Sequence, residues 1–210
     1  MSLRLGDEAP NFTAETTEGK IDFHQWKDGG WAVLFSHPAD FTPICTTELG
    51  RTAALKDEFA KRNAKIIAVS VDPLDKHKGW VPDISKAAGV DVNFPIIADD
   101  SKTVAEAYDM IHPSEGDSST VRCVFIIDPK NKVRTILTYP KSVGRNFTEI
   151  LRTVDALQVT DSAGVSTPVD WNVGDKVVIS PALSAEEAKA KYGEVEEVLP
   201  YLRYASVPTS

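Results

Sequence analysis

The sequence predicts an α/β core on a central mixed sheet flanked by helices, followed by a small C-terminal domain. Apolar runs of strand length alternate with helix-patterned segments, two strand-like runs then meet across a turn, and the regular patterning ends near Val159. In order along the chain, Val33-Leu34-Phe35 after Trp31 is a short apolar strand that ends at Ser36-His37-Pro38. A Pro-bounded loop, Ala39-Asp40-Phe41-Thr42-Pro43, follows. Residues 46–62 read as one helix, with Leu49, Ala53, Phe59 and Ala60 near the 3.6 period and Lys61 and Arg62 suited to its C-terminal end. Residues 65–71 (KIIAVSV) form a near-continuous buried strand; 85–88 fit a further helix and 95–98 (PIIA) a further strand. Residues 121–128 (VRCVFIID) and 132–139 flank the turn Asp128-Pro129-Lys130-Asn131 and read as a hairpin. Residues 146–159 are an amphipathic helix with Ile150, Leu151, Val154 and Leu157 on one face.

Residues 160–168 are small and polar, 170–181 hold one short strand between turns, and 182–190 form a short acidic helix. This tail is too small to build its own core, so it is expected to pack on the first domain or on a partner subunit. The boundaries that follow are 1–160 for the main domain and 161–210 for the C-terminal one.

Composition narrows the function. With 42% apolar and 26% charged residues, the 210-residue chain has the make-up of a globular protein rather than a disordered one. A net charge of -8 with no basic stripe argues against nucleic-acid binding. No apolar stretch approaches the ~20 residues that span a bilayer, so no stable membrane insertion is expected. The N-terminus lacks the apolar core of a secretory signal and the last three residues are not a targeting tripeptide, which makes a cytoplasmic location the expectation. Two cysteines do not make a disulfide scaffold, and His24, His37, His77 and His112 give no pair at zinc-ligand spacing.

The chemistry therefore turns on whether Cys45 or Cys123 is reactive. Cys45 follows a buried strand and a stiff loop and opens a helix, where unpaired amides and the helix dipole favour an anion and so a thiolate. Thr42, three residues earlier, can bring its hydroxyl beside the sulfur if the turn is near-helical. Pro38 and Pro43 stiffen the loop and remove donors from its lining, and His37 is near enough in sequence to line the same pocket. Position alone favours the plainer alternative, a small buried apolar cysteine.

The run His37-Pro38-Ala39-Asp40-Phe41-Thr42-Pro43-Ile44-Cys45-Thr46-Thr47-Glu48-Leu49-Gly50-Arg51 resembles the peroxidatic signature of the peroxiredoxins, Pro-x-x-x-Thr-x-x-Cys. Its flanks resemble the single-cysteine, peroxiredoxin-6-like branch. Gly144-Arg145-Asn146-Phe147, Thr167-Pro168-Val169-Asp170-Trp171 and Tyr201-Leu202-Arg203-Tyr204 also resemble family segments, so the likeness covers nearly the whole chain. It implies a thioredoxin-like fold, no cofactor, a homodimer, and reduction of hydrogen peroxide and organic hydroperoxides through a Cys45 sulfenic acid. It implies Cys45, Thr42, Pro38 and Arg122, the last at a strand start, as the catalytic set. Glu48 and Arg145 are implied as a pair that braces the pocket, while by themselves they read as a helix-surface and a helix-flanking charge. His37 could support the site by donating to the sulfur or to a bound oxygen, or be a histidine packed at a strand end.

Neighbours on a strand face opposite ways, so if Arg122 faces the site Cys123 faces away and does not resolve the sulfenic acid. The reductant must then be external: glutathione, a thioredoxin-type protein or ascorbate. Some relatives are also phospholipases, but here the serine position is Gly30 and the aspartate position Lys130, although His24 remains; that activity is expected to be absent. A thioredoxin-type oxidoreductase would need Cys-x-x-Cys, and the residue three after Cys45 is Glu48. A holdase chaperone or redox-sensing role stays open beside the peroxidase one.

Overall fold

The apolar runs become the inner strands of a seven-stranded mixed sheet, and the sheet's parallel part ends where the Cys45 helix begins. The computed structural model describes residues 2–208; Met1 and the last two residues, which bear on the terminal targeting readings, lie outside it. In chain order the first elements are β1 (Thr13–Thr16), β2 (Gly19–Asp22), α1 (Phe23–Lys27), β3 (Trp31–Ser36), α2 (Pro43–Ala54) and α3 (Lys56–Lys61). Then come β4 (Ala64–Ser70), α4 (Leu74–Ala88), β5 (Ile96–Ala98), α5 (Thr103–Ala107), β6 (Arg122–Ile127) and β7 (Val133–Tyr139). The C-terminal part holds α6 (Phe147–Ala163), β8 (Val177–Ile179), α7 (Ala185–Tyr192), β9 (Val195–Leu199) and β10 (Leu202–Ala205). Two compact units result, one ending at Phe147 and the other beginning at Thr148.

In the first unit the strand order is β2-β1-β5-β4-β3-β6-β7. β3, β4 and β5 run parallel, which takes helical crossovers; β6 lies antiparallel to β3, and β7 antiparallel to β6 across the Asp128 turn. That turn is set by chemistry the sequence carries: the Asp128 carboxylate accepts from the Lys130 and Lys132 amides, and Asn131 takes φ 60°. All six residues of β3 and of β6 are buried, as expected of strands covered on both faces. Phe23, Leu34, Ile67, Ile97, Tyr108 and Phe125 join one apolar cluster, and Cys123 sits in it.

Several elements depart from the sequence reading. The helix expected over 46–62 begins three residues earlier, with Pro43 in its first turn, and is interrupted at Leu55 (φ -100°, ψ 2°). The break leaves both Leu55 and Phe59 buried. The helix glimpsed at 85–88 is the tail of α4, whose Gly79 and Pro82 suppress helical patterning. β1, β2, α1, α5, β9 and β10 had no clear periodicity. The C-terminal segment gathers apolar clusters, one of them with Val159 and Ala156 of α6. Val159, Val165, Trp171 and Val177 form one, and Ile179, Ala188 and Ala205 another, over the antiparallel sheet β8-β10-β9. The terminal turn of α6 supplies Val159, and α7 is fixed by a capping box between Ser184 and Glu187.

Candidate active site

Cys45 is placed by the junction of β3, a five-residue loop and α2. Thr42 is the N-cap of α2 in extended conformation (φ -117°, ψ 149°), and Pro43 starts the helix with the φ it needs and no N–H to strand. Thr42 makes no side-chain cap. The Ile44 and Cys45 amides therefore stay available at the positive end of a 12-residue helix, with the sulfur in the first turn. Thr42 Oγ1 does not donate to the sulfur; it donates to Ala39 O at 2.8 Å, so its lone pairs are what it offers a ligand. Pro38 is half-buried beside it, and Cys45 is fully buried.

Arg122 reaches the sulfur from the start of β6. Its Nη1 donates to Cys45 Sγ at 3.3 Å and to Glu48 Oε2 at 2.8 Å, while Nε donates to Lys141 O at 2.8 Å. Nη2 has no hydrogen-bond partner among the described residues. Arg122 is itself aimed by a buried brace. Glu48, one turn after Cys45, accepts from Arg145 N at 2.8 Å, Nε at 2.9 Å and Nη2 at 2.7 Å. Arg145 Nη1 caps Cys123 O at 2.7 Å, and its guanidinium lies over the Phe35 ring, 5.1 Å from the centroid. Burial works to raise the Glu48 carboxyl, but the Arg145 hydrogen bonds, then its charge and that of Arg122, outweigh it and hold the group below its ordinary value.

His37 does not join this set. Its Nε2 meets Asp40 Oδ1 at 2.8 Å, and its buried Nδ1 has no hydrogen-bond partner among the described residues. Asp40 Oδ2 meets His77 Nδ1 at 2.5 Å, and His77 Nε2 donates to Ile97 O at 3.1 Å. Sequence spacing gave no metal-ligand pair because His37 and His77 lie 40 residues apart, yet folding brings both onto Asp40. Among the described residues, these three are the ones whose donor atoms cluster closely enough to hold a metal ion, within 4.8 Å of one another. Both oxygens of Asp40 are already engaged by imidazole nitrogens. His77 and Asp40 are the polar residues the sequence reading missed; a lone histidine in a poorly patterned helix was the sole signal.

Cys123 points the other way from Arg122. It is buried, 3.8 Å from Thr138 Oγ1 across the hairpin, and burial raises its thiol pKa. At Gly30 an added Cβ would stand 2.8 Å from Asn63 O, and His24 Nε2 is engaged with Ala9 O at 2.9 Å. A cavity of about 350 Å³ lined by Trp26, Lys56, Asn63, Lys65 and Phe94 opens near the start of β4, at the far end of the sheet from Cys45.

A thioredoxin-like sheet with a buried cysteine in the first helical turn and an arginine on its sulfur is the architecture of a thiol peroxidase. Residues 5–136 match the AhpC/TSA family and residues 156–194 the C-terminal domain of 1-Cys peroxiredoxin. The chain is 52% identical to peroxiredoxin PRX1, mitochondrial, of Saccharomyces cerevisiae, over 96% of this chain and 80% of that protein. It is 48% identical to peroxiredoxin-6 of Mus musculus over 98% of each. Among solved structures, a yeast mitochondrial 1-Cys peroxiredoxin, described for thiol resolution via the glutathione and thioredoxin systems, superposes with TM-score 0.92 at 51% identity. That match covers 98% of this chain and 100% of the other. A mutant of the peroxiredoxin 6 of Arenicola marina gives TM-score 0.93 at 45% identity, covering 100% of each chain. The chain belongs to the AhpC/TSA family and, within it, to the single-cysteine peroxiredoxins; it is a thiol-dependent peroxidase.

Proposed function

We propose that Cys45 is the peroxidatic nucleophile and that Arg122, Thr42 and Pro38 serve it, with Glu48 and Arg145 bracing Arg122. The observation that carries this is the Arg122 Nη1 contact to Cys45 Sγ at 3.3 Å in a buried site. The Cys45 thiolate attacks one oxygen of a hydroperoxide. A sulfur–oxygen bond forms, the O–O bond breaks, and its electron pair leaves on the second oxygen, which takes a proton from solvent to depart as water or an alcohol, while the attacked oxygen keeps its hydrogen as the S–OH. The sulfur is oxidised to sulfenic acid and the peroxide is reduced. Arg122 Nη2 holds the peroxide while Nη1 stays on the sulfur, and the Thr42 hydroxyl, its hydrogen given to Ala39 O, accepts a hydrogen bond from the peroxide O–H. The Ile44 and Cys45 amides face the charge that builds as the O–O bond stretches. Pro38 closes the side toward bulk water.

An external thiol then attacks the sulfenic acid, releasing water and leaving a mixed disulfide; a second thiol releases Cys45. Glutathione or a thioredoxin-type protein fits that step, as described for the yeast relative; ascorbate, the third candidate, would instead reduce the sulfenic acid directly, giving the Cys45 thiol, water and dehydroascorbate. Cys123, buried and turned into the core, is structural. We also propose a homodimer, with the C-terminal unit at the contact. Supporting it, that unit exposes large apolar side chains: Val169 (87%), Tyr201 (68%) and Val198 (54%). Two free, buried thiols suit a reducing compartment such as the cytoplasm, with the mitochondrion, where the yeast relative resides, as the alternative that cell fractionation separates.

The test is chemical trapping. Reduced protein given one equivalent of hydrogen peroxide in the presence of dimedone should carry the adduct on Cys45 by peptide mass spectrometry. An adduct on Cys123 alone would overturn the assignment.

A further inference from the structure

We propose that Asp40, locked by His77, is a positioning residue for the peroxidase reaction: it pins the loop that carries Pro38 and Thr42 to α4 and β5. The inference rests on the reading of Cys45 as nucleophile and of Thr42 as hydrogen-bond acceptor for the peroxide. Neither Asp40 nor His77 touches the sulfur or has a place in the steps above, yet both are fully or nearly fully buried. Buried charged groups cost stability unless something holds them in that place.

The loop needs holding. Phe41 has φ 58°, a left-handed conformation that an aromatic L-residue adopts at a cost of about 1–3 kcal/mol, and although its ring leans on Trp80 the residue is 52% exposed, so packing repays only part of that cost. Three ties converge on the residue before it. Asp40 Oδ1 accepts from His37 Nε2 on the exit of β3, and Asp40 Oδ2 meets His77 Nδ1 on α4. The Asp40 amide donates to Asp72 Oδ2 at 2.8 Å. His77 is anchored in turn on Ile97 O of β5, and Thr120 Oγ1 donates to His37 O at 2.7 Å.

The proton positions follow from donor and acceptor capacity. A carbonyl can only accept, so His77 Nε2 carries hydrogen. A hydrogen on His37 Nδ1 would be a buried donor without an acceptor, so His37 is neutral and donates through Nε2. One further proton lies between Asp40 Oδ2 and His77 Nδ1. Whichever of the two carries it, the cluster has no net charge. Residue 40 must therefore offer one acceptor toward His37 and one hydrogen-bonding atom toward His77. Asparagine offers both, its carbonyl to His37 Nε2–H and its amide N–H to a neutral His77 Nδ1. Alanine offers neither.

The tie matters for chemistry because Thr42 Oγ1 takes its orientation from Ala39 O, the residue joined to Asp40, and Thr42 O takes the Thr46 amide and hydroxyl. A shift of about 1 Å in such a group costs on the order of 100-fold in rate.

The test compares two rates on reduced protein: oxidation by hydrogen peroxide in stopped flow, and alkylation of Cys45 by iodoacetamide, which needs no peroxide alignment. Asp40→Ala and His77→Ala should slow oxidation at least about tenfold, with alkylation held within about threefold or faster. Asp40→Asn should return to within about threefold of wild type. Asp72→Ala cuts one tie from the cluster's edge, where folding is not at stake, and should also slow oxidation. Should Asp40→Ala not fold, Asp40→Asn and Asp72→Ala decide the matter. Wild-type oxidation rates in Asp72→Ala and Asp40→Ala, or an Asp40→Asn protein as slow as a folded Asp40→Ala, would overturn the positioning role. A wild type inert to peroxide would instead sink the Cys45 reading.

Discussion

Glu48 receives four hydrogen bonds from two guanidinium-bearing residues while almost wholly buried, so its negative charge is what allows Arg122 and Arg145 to lie side by side. Glu48→Gln keeps the shape but turns an amide N–H toward an arginine and leaves two buried cations with one neutral acceptor. A loss of about 3–5 kcal/mol is expected, read as a fall in denaturation midpoint, together with slower peroxide oxidation as Arg122 drifts from the sulfur. The pH dependence has a definite sign. A carboxyl held below its ordinary 4.5 in the folded state stabilises fully above that value, and the contribution fades as pH falls through the lower, folded value. Wild type should therefore lose stability on acidification below about pH 4.5, and Glu48→Gln should lack that part of the loss. Much of this site was legible in the sequence because Pro38, Thr42 and Cys45 lie within eight residues and fold locally. The orientation of Thr42 was not, because a hydroxyl chooses among nearby acceptors and the choice fell on Ala39 O. Asp40 and His77 were hidden for a different reason: their bond joins a loop to a helix more than thirty residues on.

Among the helices, α4 is poorly marked in its own sequence. Gly79 and Pro82 lower helical propensity in the middle of Leu74–Ala88, and only its last turn read as helix. Tertiary packing decides instead, through buried His77, Trp80 and Ile84. The same packing fixes the distance between α2 and α4. At Gly50 the helices come so close that an added Cβ would sit 2.7 Å from Ala88 Cβ, an atom that cannot swing aside. Gly50→Ala gains helix propensity but must push the helices apart, and the clash should win. A Tm lower by roughly 2–4 °C is expected, recovered when Ala88→Gly is added. An unchanged Tm in the single variant would mean that α2 and α4 part without cost. The strands were easier to read: β3, β4 and β6 are buried along nearly their whole length, so their sequences are almost uninterrupted apolar runs. The edge hairpin β1–β2 is mostly exposed and carries no such signature.

At the scale of the whole molecule, the C-terminal unit builds two modest apolar clusters yet leaves valines and a tyrosine facing water. Light scattering after size exclusion should give twice the chain mass at micromolar protein, and Val198→Glu with Tyr201→Glu should lower it. A monomer across that range would remove the dimer. The two-thiol economy of the chain sets the more central claim, that one cysteine reacts and the other packs. It is tested most directly by the rate of hydrogen peroxide loss with a small dithiol as reductant, comparing wild type, Cys45→Ser and Cys123→Ser. Cys45→Ser should fall to the rate of the uncatalysed mixture while Cys123→Ser turns over like wild type. Loss of turnover in Cys123→Ser with an intact fold would contradict it, and undiminished turnover in Cys45→Ser would place the nucleophile elsewhere.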